Sequence, residues 1–243
     1  MQEAKKDIIN KLRKDILLIE GFKAPEASNA GAFGLGQIES SFPNGVFPTS
    51  TIHEMICPTP EQAAATGGFM SGLLASLMQH GGACLWIGTS RKLFPASLMA
   101  FNVEPDRVIF IDLNREKDVL WTIEEALKCE GLAAVVGEIK EISFAQSRRL
   151  QLAVENSKVT GFLLRNDPKK LGTTTCVARW QITPLPSAPE DDLPGVGFPR
   201  WQVDLLRVRN GNPGSWKVEW VDGHFIPIEE EIMSNEISER QAG

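Results

Sequence analysis

The sequence predicts an α/β fold, a largely parallel sheet flanked by helices on both faces, with an antiparallel hairpin at its C-terminal edge. Five apolar, strand-like runs recur from residue 51: TIHEMIC (51–57), ACLWIG (83–88), RVIFI (107–111), LAAVVGE (132–138) and TGFLLR (160–165). The gaps between them are long enough for helices, and strands that alternate with helices pair in parallel and are covered on both faces. Near the end, RWQVDLLRVR (200–209) and SWKVEW (215–220) flank the turn sequence NGNPG, which reads as a hairpin.

In chain order, residues 1–22 form a first unit in which Ile8, Leu12, Ile16 and Ile19 share one face of a helix over 5–20. That stripe must be buried, and it is expected to mediate assembly with a second copy or a partner protein. Residues 23–36 read as a linker; their GLG precedes no helix and is no dinucleotide fingerprint. The core domain spans 37–228. Within it Leu120, Ile123 and Leu127 share a helix face, and Ser143 caps a helix carrying Leu150, Ala153 and Val154. ITPLPSAPEDDLPGVGFP (182–199) is too rich in proline to sustain an element and is expected to be a surface loop. Residues 229–243 form an acidic tail.

Composition limits the function. With 243 residues, 42% of them hydrophobic, the chain can bury one substantial core. A net charge of -6 excludes a surface that coats DNA nonspecifically, although a local basic patch is compatible with it. The first residues mix charges with isolated apolar positions and no run is long enough for a membrane span, so a cytoplasmic location is expected. Cys57, Cys84, Cys129 and Cys176 are widely spaced and read as reduced core thiols. His53, His80 and His224 show no metal-ligand spacing, and each reads as structural.

The stretch IHEMICPTPEQAAATGGFMSGLL (52–74) has the strand, tight loop and helix of a phosphate-binding site, yet it has no lysine. Its surroundings carry a resemblance. GLGQIESSFPNGVFPTSTIHEMICP (34–58), with Glu54 inside the strand, LQLAVENSKVTGFLLR (150–165) and RWQVDLLRVRNGNPGSW (200–216) together resemble RecA-like proteins, in particular the ImuA family. The likeness spans most of residues 33–221. It implies a role in DNA-damage-induced, error-prone translesion synthesis, part of the SOS response. The partners it implies are ImuB, an inactive Y-family polymerase homologue, and an error-prone replicative-type DNA polymerase. RecA, DNA and another copy of the chain are further contacts left open.

In the register of that resemblance, Ala63 and Ala64 stand where a working loop has its Lys and Ser/Thr, and Gln62 replaces the preceding glycine. Pro60 removes a backbone donor, and Glu61 already complements the helix dipole. A phosphate charge ~4 Å from Glu61 would meet repulsion of about 4 kcal/mol at an effective dielectric of about 20. Thr89 and Ser90 stand where a RecA-like ATPase places its water-activating glutamate, and Glu138 falls at the Walker B carboxylate. The sequence therefore predicts no catalytic residue, no cofactor and no bound metal. Cys57 at its strand end has no identified base beside it and reads as a buried thiol rather than a nucleophile. Two alternatives stay open: a nucleotide-binding switch with a shifted loop at Thr66, Gly67 and Gly68, and a cell-division inhibitor of the RecA-derived fold.

The segment RNDPKKLGTTT (165–175) follows a strand where RecA-like proteins place a mobile, DNA-facing loop. Arg165, Lys169 and Lys170 are the expected nucleic-acid contacts, with Arg148 and Arg149 on the preceding helix as secondary ones. No aromatic is interleaved, so the contact is expected to be weak and salt-sensitive.

Overall fold

A computed structural model describes residues 33–79, 81–187 and 197–228. The expected N-terminal helix with its stripe of Ile8, Leu12, Ile16 and Ile19, most of the linker, His80 and the acidic tail lie outside the described residues.

Nine strands form one sheet: β1 (Ile52–Cys57), β2 (Ala83–Gly88), β3 (Val108–Asp112), β4 (Leu132–Ile139), β5 (Thr160–Asn166), β6 (Ala178–Leu185), β7 (Arg200–Val208), β8 (Gly214–Val221) and β9 (His224–Pro227). Their order is β3-β2-β4-β5-β1-β6-β7-β8-β9. The strands from β3 to β6 pair in parallel, and β6 to β9 pair antiparallel. Helix α1 (Pro60–Met78) packs on one face, while α2 (Glu116–Ala126) and α3 (Phe144–Ser157) pack on the other. The inner strands are buried on both sides: in β5, Phe162 and Leu164 face α1, and Leu163 faces the opposite layer. That double burial is why these strands read as continuous apolar runs.

The helix boundaries follow local chemistry. Thr59 caps α1 by accepting the Gln62 N–H at 3.3 Å, and Pro60 occupies the first turn. Ser143 and Gln146 form the reciprocal capping box of α3.

Two expectations are corrected and one is extended. ARWQITPL is the strand β6, so the surface loop begins after Leu185 rather than at Ile182; Ala178, Trp180 and Ile182 alternate into the core. Pro184 is tolerated near the end of that strand, where parallel pairing with β1 has already stopped. The antiparallel β7–β8 hairpin forms at the C-terminal side of the sheet as expected, and Asp222 (φ 50°) and Gly223 (φ 83°) turn the chain back into one further strand, β9. Phe33 and Leu35, assigned to the linker, pack on the core: Phe33 stacks on Phe47 at 4.3 Å, and Leu35 is buried.

Beneath α1, His53 is fully buried in an aromatic cluster, parallel to Phe47 at 4.7 Å and near Phe162 and Trp180. Its Nε2 donates to the Pro48 carbonyl at 2.7 Å, and its Nδ1 accepts from Trp180 Nε1 at 3.3 Å. Burial pushes its pKa down to about 4, with the Pro48 hydrogen bond opposing the shift. The folded ring therefore stays neutral where the unfolded chain takes up a proton, so stability falls as the pH drops from about 6.5 to about 4 and then levels. The loss is on the order of 3 kcal/mol. Denaturant unfolding across this window should show a one-proton slope that His53→Gln removes.

Packing also separates two glycines of α1. A Cβ on Gly72 would sit 2.5 Å from the Phe225 ring and 2.8 Å from the Trp220 ring, whereas one on Gly67 would meet only Leu93 at 3.8 Å. Gly72→Ala should cost about 1–3 kcal/mol by overpacking. Gly67→Ala should stabilise by about 0.5–1 kcal/mol through helix propensity. Urea titrations of both variants check the opposite signs.

Candidate functional site

At the C-terminal ends of β2, β4 and β5, beside the first turns of α1, lies a cavity of about 620 Å³. Its size follows from small residues: α1 presents Ala63, Ala64, Gly67 and Gly68 to it. Trp86 from β2, Leu93, Phe94 and Phe101 from the connection after β2, and Trp201 from β7 form apolar walls. Thr66, Gly67 and Gly68 lie well inside α1, so they form no shifted phosphate loop. Thr89 and Ser90 sit in an exposed bend after β2.

One end of the cavity is polar. Glu138, near the end of β4, accepts from Trp86 Nε1 at 2.7 Å and from Asn166 Nδ2 at 3.2 Å. Burial raises its carboxyl above the usual range, opposed by the Trp86 bond and by the nearby Lys92 and Asn166. Asn166 Nδ2 donates to the Glu138 carboxylate, and its buried Oδ1 has no hydrogen-bond partner among the described residues. Lys92 is the cation among the lining residues.

Cys57, at the end of β1, donates weakly to Thr66 Oγ1 at 3.4 Å, and burial pushes its thiol up to about 11. It is a protonated core thiol, as are Cys84 and Cys176, each pushed up to about 12 by burial. Cys129 is exposed, which corrects the expectation that all four cysteines lie in the core. Among the described residues no group of three His, Cys, Asp or Glu side chains could hold a metal ion. No helix among them is long and apolar enough to cross a membrane.

The expected nucleic-acid contacts divide. Arg165 is fully buried in β5, and this corrects its placement on a DNA-facing loop. Its guanidinium donates to Glu54 at 2.8 Å, to Glu141 at 2.7 Å and to the Lys140 and Lys170 carbonyls. Arg149 pairs with Glu124 of α2 at 2.5 Å, and Arg148 is exposed on α3. Lys169 and Lys170 are exposed, but their backbone N–H groups are held by Glu141, whose carboxyl these bonds keep below the usual range.

Glu54 is a residue that sequence reasoning left without a role. In the middle of β1 and fully buried, it accepts from Arg165, from Arg179 of β6 at 2.8 Å and from Thr174 at 3.1 Å. Arginines then hold the following segment by its carbonyls: Arg179 takes Gly172, Arg207 takes Thr174 and Cys176, and Arg209 takes Thr175. The segment expected to be mobile is thus tied along its length. The available signal was a lone carboxylate inside an apolar strand, where a charge persists only when paired. Glu54→Ala should lower unfolding free energy by about 3–5 kcal/mol, because it strands buried arginine charge. Denaturant unfolding measures this, and a loss no larger than that of a surface substitution would contradict the assignment.

A mostly parallel nine-stranded sheet flanked by helices, with antiparallel strands at its C-terminal end, makes this an α/β protein. Protein ImuA of Caulobacter vibrioides is 30% identical over 228 residues, covering 87% of this chain and 93% of that protein, and the same holds for its counterpart in a second strain of the species. The chain belongs to the ImuA family. No family model matches it.

Proposed function

We propose that the chain is a non-catalytic RecA-like adaptor in damage-induced, error-prone translesion synthesis. Family membership supports the part in damage-induced mutagenesis. In this reading it joins an ImuB-like inactive polymerase homologue to an error-prone replicative-type polymerase. The observation that carries the non-catalytic half is the opening of α1. Its capped first turns present Glu61, Ala63 and Ala64 where a nucleoside triphosphate needs a lysine and a hydroxyl, and the adjoining cavity is walled by tryptophan and phenylalanine. Such a surface favours apolar groups over phosphate. Exposed Lys169 and Lys170 supply the remaining charge for a weak DNA contact beside the protein contacts.

The purified chain should form a complex with the two polymerase-type partners in size-exclusion chromatography with light scattering, and adding ATP and magnesium should leave that complex unchanged. Calorimetry should detect no ATP binding. Saturable micromolar binding of ATP with magnesium that Glu138→Ala abolishes would sink the non-catalytic reading. Failure of the complex to form would sink the adaptor reading.

A further inference from the structure

The cavity beside α1 holds a carboxylate that the protein leaves without a counter-ion. Glu54, Glu124 and Glu219 are also withdrawn from water, and each pairs with an arginine. Glu138 is half-buried and lines the cavity, yet among the described residues no cation lies within salt-bridge distance of it. Its two partners are neutral donors, the Trp86 indole on Oε1 and the Asn166 amide on Oε2. A carboxylate has about four acceptor sites, so about two stay unused. Lys92 lines the same cavity from the connection after β2, but it is exposed, and its charge is screened by solvent.

These surroundings select the ligand by charge and by shape. An anion is repelled by Glu138. A metal ion needs more ligands than one carboxylate, and among the described residues no group of three His, Cys, Asp or Glu side chains supplies them. Phe94 and Phe101 stand in the wall, and aromatic faces attract cations. The volume of about 620 Å³ encloses one small organic molecule.

We propose that the cavity binds a small organic cation, an amidinium or guanidinium carried on an apolar or aromatic body, whose N–H groups donate to the unused acceptor sites of the Glu138 carboxylate. The body rests against Phe101 and the alanines and glycines of α1. Such a charge-assisted contact gives Glu138 the counter-ion that arginines give Glu54. It involves no polymerase partner, so it stands or falls separately from the adaptor reading.

Benzamidinium is the probe, titrated into the isotope-labelled chain while NMR follows the indole N–H of Trp86, which donates to Glu138. That resonance should shift and saturate in the millimolar range that so small a molecule reaches. Benzamide, the neutral isostere, should bind at least about tenfold more weakly, and benzoate should not bind. Glu138→Gln should weaken benzamidinium by about tenfold or more, whereas Lys92→Gln, which removes the opposing charge, should tighten it. Binding should also weaken as the pH falls through the raised range of the Glu138 carboxyl, because protonation removes its charge; Lys92, Asp112 and Cys57 are the other ionisable groups facing it, and Glu138→Gln should flatten the profile. Should Glu138→Gln fail to fold, Ala64→Trp, which fills the cavity from an exposed position of α1, should abolish the saturable shift. A Trp86 resonance that does not respond, benzamide binding as tightly as benzamidinium, weaker binding in Lys92→Gln, or wild-type binding in Glu138→Gln or Ala64→Trp would each overturn the proposal.

Discussion

The fold turns on a charge in its centre. Glu54 lies in β1, the strand between β5 and β6, with no exposure to solvent, and it is compensated by one guanidinium from each neighbour. Removing a carboxylate and two arginines from water is costly, and their mutual attraction offsets that cost only when the geometry is good and the remaining donors are used. Here they are used: Arg165 and Arg179 spend their other N–H groups on the carbonyls of Lys140, Lys170 and Gly172. The ion pairs thereby fix the register of three strands and also the path of the chain between β5 and β6. Between β5 and β6 the protein has no helix but an irregular segment held by arginine side chains.

On the other face of the same strand the solution is apolar. His53 is neutral and sandwiched between rings, and α1 covers the sheet with residues buried on nearly every side. This difference between faces shapes the candidate site. The face with charges binds its own backbone, so its arginines have little left for an external anion. The α1 face ends in an open, aromatic-walled cavity, because the residues of α1 that would contact a phosphate are alanines and glycines.

The turn from β1 into α1 and the end of β4 meet at this cavity. The turn carries no lysine, and Glu138 near the end of β4 is the carboxylate that lines the cavity. Glu138 is desolvated, bonded to an indole and an amide, and its carboxyl is raised by burial.

The sequence by itself determined the parallel α/β core, the capped helices and the lysine-free turn between β1 and α1, because these depend on local order: apolar runs, a cap residue, the residue types of a short turn. It did not determine β6, since Pro184 reads locally as a breaker and only the pairing geometry shows that it lies beyond the parallel ladder. Nor did it determine the fate of Arg165. Next to two lysines the residue reads as part of a basic loop, yet strand parity turns its side chain inward to a carboxylate 111 positions earlier in the chain. The cavity was equally illegible, because its walls come from α1, β2, β4, β5 and β7, and a void is a property of how those elements meet rather than of any one of them. Local chemistry fixed which elements form, and long-range packing decided which of their side chains are still free to act.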